Sequence, residues 1–392
     1  MTDEILLQCF GAFIRLANAC AAGDPETDFV IEELEVNPFS CAKGSLVALA
    51  GAAEGRRVSA AVDILAVDGG NSKVDVALVS ADGAVLGAAR GGGASFAPDE
   101  MERSVAALLD TVTRACADAG IDVAAPPLAR VGALCLAGDD LPVDDRRLQR
   151  ALRSLGLAAD LRLRNDTFAV LRAGTGSDWG IGVVCGTGMN CCGVAPGGRT
   201  VRFAALGEVS GDDGGGGWVG RQAVRAAVRA HDGRDPRTAL EHEVPGFLGK
   251  RSLLAVLEGI QTGELDDYSA QLAPLVFRCA AEGDGVAQGI LDRQADEVVA
   301  MVASAARRLY LLRRDVAVVL GGGLIHAGDG SFLRRIEAGI RSDVPAADIR
   351  PLAVPPVVGA ALLGLDRLGV AAAGDRVRRS LTLERILTAP EA

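Results

Sequence analysis

The chain has 392 residues, and its 51 acidic against 40 basic side chains give a net charge of −11. A chain this acidic lacks the basic surface that nucleic-acid binding requires, so we expect no nucleic-acid partner. The sequence has no apolar run near the roughly 18 residues of a membrane span, and its N-terminus is acidic, unlike a signal peptide. We therefore expect a cytoplasmic protein with no membrane partner.

Residues 1–61 differ in pattern from the remainder. Three elements are predicted there: a helix over Glu4–Ala22 and strands over Phe29–Pro38 and Ser45–Leu49. The run Glu35-Val-Asn-Pro38 resembles a motif at the C-terminal end of ATP-grasp acyl-CoA synthetase subunits, in which the matching Glu35 and Asn37 would hold Mg²⁺. Because so short a segment contains little of that fold, we interpret it as a structural remnant.

From residue 62 onward, apolar β-branched runs alternate with helical periodicity, a pattern typical of an α/β fold. In chain order, the first predicted elements are a strand–turn–strand unit over 62–80, strand 84–90, helix 100–119, strand 130–136, helix 144–155, strand 160–164 and helix 166–173. They are followed by strands 180–185, 190–195 and 200–204, helix 218–231, a mainly helical stretch to 313, strand 316–320 and helices 331–341 and 356–368. The strand-rich opening recurs after residue 180, which indicates two related halves.

Three glycine-rich turns follow predicted strands. They are Asp68-Gly-Gly-Asn-Ser-Lys73, Gly186-Thr-Gly-Met-Asn190 and Gly321-Gly-Gly323. Backbone N–H groups in such turns can approach an anion closely because no Cβ intervenes. One turn alone could be an ordinary hairpin, but three at wide spacing predict a nucleotide held between two halves. The candidate nucleotide-binding residues are Gly69, Gly70, Asn71, Ser72, Lys73, Gly186, Thr187, Gly188, Asn190, Gly321, Gly322 and Gly323.

The three turns resemble the first phosphate loop, second phosphate loop and adenosine loop of the sugar kinase, Hsp70 and actin superfamily. With Asn165-Asp166 and the run Gly207–Gly214, they are similar to the N-acetylglucosamine kinase branch, which is grouped with the BadF/BadG/BcrA/BcrD ATPases. The resemblance covers about 62–370.

This resemblance implies two ribonuclease-H-like (actin-like ATPase) halves around a nucleotide cleft, with a short α+β N-terminal extension. The expected domains are the remnant 1–61, halves 62–175 and 176–370, and an exposed, arginine-rich tail 371–392. It also implies ATP and Mg²⁺ as cofactors, γ-phosphoryl transfer to a hydroxyl of an amino sugar or hexose, and a homodimer.

The first turn combines an acid with an ammonium group. Asp68 is the candidate Mg²⁺ residue, acting through water because Mg²⁺ retains much of its hydration shell. The alternative is that Asp68 caps its own turn. Lys73 either contacts a phosphate or is a solvated hairpin residue.

Two acidic positions follow later strands of the first half. Asp166 is the candidate general base for a sugar hydroxyl, and the family has an acid with that role at this strand-to-helix position. The alternative is that Asp166 caps the following helix. For the pair Asp139-Asp140, we prefer a charge at a helix N-terminus over a second catalytic acid.

The family resemblance also implies the sugar contacts. Asp212 matches a sugar-binding carboxylate, Thr187 would bind both the γ-phosphate and the sugar, and Gly207 opens the sugar-binding run. Ser95 stands where the family often has a longer Asn. Ala205-Leu206 replaces a Gly-Trp pair, so the match to N-acetylglucosamine itself is open.

Two other functions compete with the kinase. A BadF-like ATPase would activate a dehydratase or reductase through a [4Fe–4S] cluster held by cysteines, for which Cys135 and Cys185 could be proposed. A non-enzymatic nucleotide-binding sensor or partner protein is the third alternative. Cys191-Cys192 lies on a predicted strand, where neighbouring side chains point to opposite faces, so we expect no shared ligation.

Overall fold

The computed structural model describes residues 60–122, 127–266, 268–328 and 330–388, together with two short strands near the N-terminus. These are β1 (Ser40–Ala42) and β2 (Ser45–Val47), which pair antiparallel. Residues 1–61 form one unit and residues 62–392 a second. Strand β2 overlaps the prediction at Ser45–Leu49, whereas the predicted elements over 4–22 and 29–38, with Glu35 and Asn37, lie outside the described residues.

The first sheet of the larger unit has five strands. They are β3 (Val62–Gly69), β4 (Lys73–Val79), β5 (Val85–Gly92), β6 (Ala129–Leu136) and β7 (Ala158–Asn165). Their order is β5-β4-β3-β6-β7. Strand β4 pairs antiparallel with both β3 and β5, whereas β6 and β7 run parallel to β3. The helices of this part are α1 (Met101–Ala119), α2 (Pro142–Arg153) and α3 (Asp166–Gly174).

The second sheet repeats this topology. Its strands are β8 (Gly180–Cys185), β9 (Met189–Val194), β10 (Thr200–Arg202), β11 (Val316–Gly321) and β12 (Ala347–Pro351). The order is β10-β9-β8-β11-β12. Strand β9 pairs antiparallel with both β8 and β10, whereas β11 and β12 run parallel to β8. The prediction of two ribonuclease-H-like halves is confirmed by this repeat.

Helices cover much of the second part of the chain. They are α4 (Gly215–His231), α5 (Leu240–Phe247), α6 (Leu253–Gln261), α7 (Tyr268–Gln271), α8 (Ala273–Ala281), α9 (Gly285–Arg308), α10 (Ser331–Asp343), α11 (Val357–Arg367), α12 (Gly374–Ser380) and α13 (Leu383–Leu387). The glycines that open α4 lie in the helix, although the sequence predicted them as loop. Between 60 and 388, wherever residues are described, no helix is long and apolar enough to cross a membrane.

Helix α11 follows the second sheet in the chain but packs on the first. Its buried residues join one apolar cluster with Ile64 and Ala66 of β3. The approach to α3 is close, because a Cβ at Gly359 would lie 1.9 Å from the carbonyl oxygen of Ala169. An ion pair between Arg172 of α3 and Asp366 of α11, with Nε to Oδ2 at 2.7 Å, reinforces this contact.

The segment after residue 371 is not an exposed tail. Val377, Leu381 and Ile386 are buried in the same cluster as α11, so that prediction is wrong. Four arginines lie in this segment, and two of them also contact the protein: Arg378 donates to the carbonyl of Thr175 and Arg385 to Asp118.

The two adjacent cysteines are both buried but in different places. Cys191 belongs to the main core of the second half, and Cys192 to a cluster with Phe168 and Val319. The prediction that they point to opposite faces of the strand is confirmed.

Candidate active site

Three strands of the first sheet have their carboxyl ends at the same edge. Strands β3, β6 and β7 are parallel, and their register places Gly69 beside Leu136 and Leu136 beside Asn165. The residues that follow these strands therefore lie close together, as is common for ligand sites at the carboxyl edges of α/β sheets. Asp68, the loop after β6 and Asp166 are gathered in this way.

Lys73 is held between two carboxylates. Its Nζ donates to Oδ2 of Asp68 at 2.9 Å and to Oδ2 of Asp75 at 2.7 Å. Asp75 is fully buried and also accepts two hydrogen bonds from Arg90, at 2.6 and 2.8 Å. This charge network was missed from the sequence, where Lys73 was considered only as a phosphate contact or a solvated residue.

The environment of Asp68 sets both its geometry and its charge. Burial raises the pKa of Asp68, while the ammonium of Lys73 acts in the opposite direction. The turn itself is closed by the backbone, since the N–H of Gly70 donates to the carbonyl of Lys73 at 2.9 Å. The Asp68 carboxylate is thus engaged with the ammonium of Lys73 rather than with a backbone N–H of the turn.

The second and third glycine turns pack together at the corresponding edge of the second sheet. Gly216 and Gly217, in the first turn of α4, donate to the carbonyls of Gly186 and Thr187 at 2.7 and 2.9 Å. Gly322 has a φ of 99°, and a Cβ there would meet the backbone of Cys185 at 2.3 Å, so a side chain would be excluded.

Other glycines of these turns border open space. A Cβ at Gly188 or Gly323 would meet nothing within 4 Å. A rigid backbone turn with free space beside it fits a phosphate chain, which is bound by backbone N–H groups.

Asp166 is the first residue of α3, but it is not the helix cap. Oδ1 of Asn165 accepts from the N–H of Thr167 at 3.1 Å, and this bond caps the helix. Burial raises the pKa of Asp166 to about 7, and the charges of Asp68 and Asp140 contribute in the same direction. A carboxyl group with a pKa near neutrality is well matched to general base catalysis.

The loop after β6 links the two halves. Oδ1 of Asp140 accepts from Nδ2 of Asn165 and from Nδ2 of Asn190, both at 2.8 Å. Arg202 of β10 donates to the backbone carbonyl of Asp139. The preferred interpretation of these two acids as helix-terminal charges is wrong, because their contacts are mainly with other strands.

The cap of α2 belongs to a different acid. Oδ2 of Asp144 accepts from the N–H of Leu141 at 2.9 Å. The position of Asp140 at the carboxyl end of β6, next to β3 and β7, is the signal that could have identified it as a site residue.

Asp212 is buried with an unused acceptor. Its Oδ1 accepts from the hydroxyl of Ser210, whereas its buried Oδ2 has no hydrogen-bond partner. Oδ1 of the neighbouring Asp213 is also buried without a partner. Burial raises the pKa of Glu297 on α9, and the charges of Asp213 and Asp212 add to this effect. An unpaired buried acceptor is costly, so these oxygens suit hydroxyl groups of a ligand.

Two further predicted residues have contacts within the protein. The hydroxyl of Ser95 donates to Oε2 of Glu100 at 2.5 Å. Oδ1 of Asn190 accepts from the N–H of Cys191 at 2.7 Å. Gly207, with a φ of 62°, opens a 3-10 turn over Gly207–Val209, upstream of Asp212.

Two sheets of one topology, with glycine turns and acids at their carboxyl edges, define an actin-like ATPase fold of the sugar-kinase type. The chain belongs to the BadF/BadG/BcrA/BcrD ATPase family, whose model matches residues 65–364. The predicted family is therefore confirmed.

Curated relatives of the chain are sugar kinases. An N-acetylmuramic acid/N-acetylglucosamine kinase of Clostridium acetobutylicum is 28% identical over 266 residues, covering 67% of this chain and 85% of the relative. An N-acetyl-D-glucosamine kinase of Dictyostelium discoideum is 29% identical over 245 residues, covering 60% of this chain and 76% of the relative.

A solved structure agrees with these relatives. The crystal structure of a candidate N-acetylglucosamine kinase from Chromobacterium violaceum is 28% identical, with a TM-score of 0.63, and the match covers 78% of this chain and 99% of the other. Together, these comparisons support the prediction that the chain is an ATP-dependent carbohydrate kinase.

Proposed function

We propose that this protein transfers the γ-phosphoryl group of ATP to a hydroxyl of an amino sugar or hexose of the N-acetylglucosamine class. The observation that carries this proposal is the placement of Asp166 at the sheet edge, next to Asp68 and Asp140, with its pKa raised to about 7. A base of this kind accepts the proton of the acceptor hydroxyl, whose oxygen then attacks the γ-phosphorus as ADP leaves.

Asp68 fits Mg²⁺. Lys73 binds Oδ2 of Asp68 at 2.9 Å, and the other oxygen of this buried carboxylate suits a water molecule bound to the ion. Mg²⁺ bound with nucleotide needs only one or two carboxylates, because phosphates and waters complete its octahedron. The bound ion would neutralise charge on the phosphates.

The glycine turns are assigned to the nucleotide. The turns over 69–72 and 186–188 would hold the phosphates through backbone N–H groups, and the turn over 321–323 would border the adenosine. The packing of Gly322 against Cys185 supports this division, because it makes the second and third turns one rigid surface. Thr187 is assigned a hydroxyl contact to the γ-phosphate.

The sugar is assigned to the acids and small residues near the second phosphate turn. Asp212 would accept hydroxyl hydrogen bonds through its unpaired Oδ2. Ser95 is held by Glu100 and is shorter than the Asn that the family resemblance leads us to expect there, so we propose a preference other than unmodified N-acetylglucosamine. Gly207 and Thr187 complete the proposed contacts.

The buried cysteines in the part of the chain that the structure describes do not favour the iron–sulfur alternative. Burial raises the pKa of Cys185 to about 12 and raises the pKa of Cys135 as well. Cluster ligation requires thiolates, whose formation this burial opposes.

The test is ADP release with MgATP across N-acetylglucosamine, N-acetylmuramic acid, glucosamine, glucose and polyols. We expect sugar-dependent ADP release with at least one sugar, and a loss of sugar affinity in Asp212→Asn. Asp178→Asn, at an exposed acid before β8 and outside the proposed site, is the matched control with unchanged activity. ADP release that no sugar stimulates would contradict the proposal. Light scattering after gel filtration tests the expected homodimer, and fractionation of cells tests the cytoplasmic location.

A further inference from the structure

Asp140 joins amide side chains from both halves of the larger unit. A single oxygen, Oδ1, accepts from Nδ2 of Asn165 at the end of β7 and from Nδ2 of Asn190 on β9, each at 2.8 Å. Asn165 lies 25 residues and Asn190 lies 50 residues from Asp140 in the sequence, so both hydrogen bonds are tertiary contacts.

Each amide is fixed at its other end by the backbone or side chains next to it. Asn165 accepts from the N–H of Thr167 at 3.1 Å and from its hydroxyl at 2.5 Å. Asn190 accepts from the N–H of Cys191 at 2.7 Å. The amide of each asparagine is therefore held by hydrogen bonds at both ends, and Asp140 connects the start of α3 to the start of β9.

We propose that Asp140 is a positioning residue for phosphoryl transfer, which sets the spacing between Asp166 on the first half and the second phosphate turn on the other. This inference rests on the proposed function. Asn165 directly precedes Asp166, and Asn190 ends the turn that begins at Gly186, so the bridge spans the place where base and γ-phosphate must meet. Errors of about 1 Å in such spacing can lower rates by roughly 10².

The loop that carries Asp140 is itself held on several sides. The N–H of Ala137 donates to the carbonyl of Gly69 at 2.7 Å, and a Cβ at Gly138 would lie 2.4 Å from the carbonyl oxygen of Ser95. Arg202 from β10 approaches the same loop and lies 3.3 Å, Nη1 to Oδ1, from Asp145. Asp140 therefore extends from a backbone that touches the first phosphate turn and the proposed sugar loop.

Two substitutions separate position from charge. Asp140→Asn keeps an acceptor oxygen for both amides, whereas Asp140→Ala removes it. We expect Asp140→Ala to lower kcat/KM for the sugar by about 10- to 100-fold, with the KM for ATP changed less than about threefold. Asp140→Asn should stay within about fivefold of wild type, because the amide oxygen preserves the bridge. Asp178→Ala is the control, since this acid is exposed and lies before β8, at the opposite end from Gly186.

A double-mutant cycle tests whether the bridge is the route of the effect. Asn190→Ala should cause a loss similar to that of Asp140→Ala, and the double variant should be no worse than the poorer single variant. Additive losses, an Asp140→Ala enzyme with wild-type kinetics, or an Asp140→Asn enzyme as poor as Asp140→Ala would each overturn the proposal. If Asp140→Ala does not fold, Asn190→Ala and Asp140→Asn supply the same comparison.

Amide hydrogen exchange provides a readout that needs no turnover. Exchange at 137–141 and 189–191 should rise in Asp140→Ala and stay at the wild-type level in Asp140→Asn. If wild type releases no ADP with any sugar, the proposed function fails, and this exchange pattern still decides whether the bridge exists. Unchanged exchange in Asp140→Ala would show that the bridge does not hold the two halves.

Discussion

The ammonium of Lys73 lies 2.9 Å from Oδ2 of Asp68, so the acid proposed for Mg²⁺ already has a cationic neighbour. The same ammonium lies 2.7 Å from the fully buried Asp75, whose second cation is Arg90. Two acids and two bases thus alternate along the hairpin of β3, β4 and β5. This order keeps the Asp68 carboxylate in one orientation and balances charge that would otherwise be buried alone.

Lys73→Met should destabilise the protein and weaken Mg²⁺-dependent turnover. The substitution leaves Asp75 with one cation and Asp68 with none, and we expect a loss of about 1–3 kcal/mol in the free energy of unfolding, less than for a fully buried pair. Urea denaturation measures this loss, and a Mg²⁺ titration of activity measures the second effect. Lys250→Met is the control: the Lys250 side chain is even less exposed than that of Lys73, but its partner Glu264 is 64% exposed and stays hydrated when the pair is lost. We expect the loss of this one pair to cost about 0–1 kcal/mol. Equal losses in the two variants would contradict a special role for Lys73.

The elements that the sequence predicted well are those with strong periodicity. Strands such as β3 and β11 are apolar runs beside glycine turns, and their observed bounds agree with the predicted ones to within a few residues. Strand β12 was missed because Asp348 and Arg350 alternate with few apolar residues. The start of α4 was missed because Gly215 and its glycine neighbours disfavour a helix unless tertiary hydrogen bonds hold them.

Long-range contacts account for the remaining differences at the site. Asp140 acquires its role from Asn190, which no local pattern connects to it. The segment after 371 is buried through Val377, Leu381 and Ile386, which are spaced among charged residues. Three separated apolar residues form too weak a pattern to predict burial from the sequence. The glycine turns and Asp166 could be predicted because each follows a strand end, and strand ends determine the edge at which ligands bind.

Gly359→Ala should lower stability sharply, because the new methyl group would lie 1.9 Å from the carbonyl oxygen of Ala169. The backbones of α3 and α11 would have to separate, and overpacking of this kind costs about 1–3 kcal/mol or more. Thermal and urea unfolding provide the measurement. Gly289→Ala in α9 is the control: its Cβ would meet nothing within 4 Å, so we expect a gain of about 0.5–1 kcal/mol. Tolerance of Gly359→Ala at wild-type stability would mean that α11 does not pack as described.

The acidic limb of the pH–rate profile should report Asp166. The pKa of its carboxyl group is raised to about 7 by burial, then by the charges of Asp68 and Asp140, while Lys73 acts in the opposite direction. A base works only when deprotonated, so kcat/KM for the sugar should fall about tenfold per pH unit below the limb. Bound Mg²⁺ adds positive charge, so the limb should lie at or below pH 7 and move to higher pH at limiting Mg²⁺. A profile flat from pH 5 to 8 would contradict this assignment.

The same shift has a consequence for stability with a definite sign. The folded protein keeps a proton on Asp166 between the ordinary pKa of 3.8 and about 7, where the unfolded chain has released it. The contribution of this group to stability is therefore greatest at low pH and is lost as the pH rises through this window. Asp166→Asn, which cannot titrate, should remove that part of the pH dependence in urea denaturation experiments.

Asp166→Asn is the variant that most directly tests the proposed chemistry. Asn165 and not Asp166 caps α3, so the substitution leaves the helix start intact, and it also removes a charge that burial disfavours. Stability and nucleotide affinity should therefore be kept, while kcat for the sugar falls by roughly 10²–10⁴ because the amide cannot accept the hydroxyl proton. Steady-state kinetics, with calorimetric binding of an ATP analogue as the check on folding, separates the two effects. Asp178→Asn, an exposed acid before β8, should match wild type in both measurements. If Asp166→Asn keeps more than about a tenth of the wild-type kcat, the proton acceptor lies elsewhere, because a general base contributes at least roughly 10². Asp139 and Asp212 are then the next acids to replace.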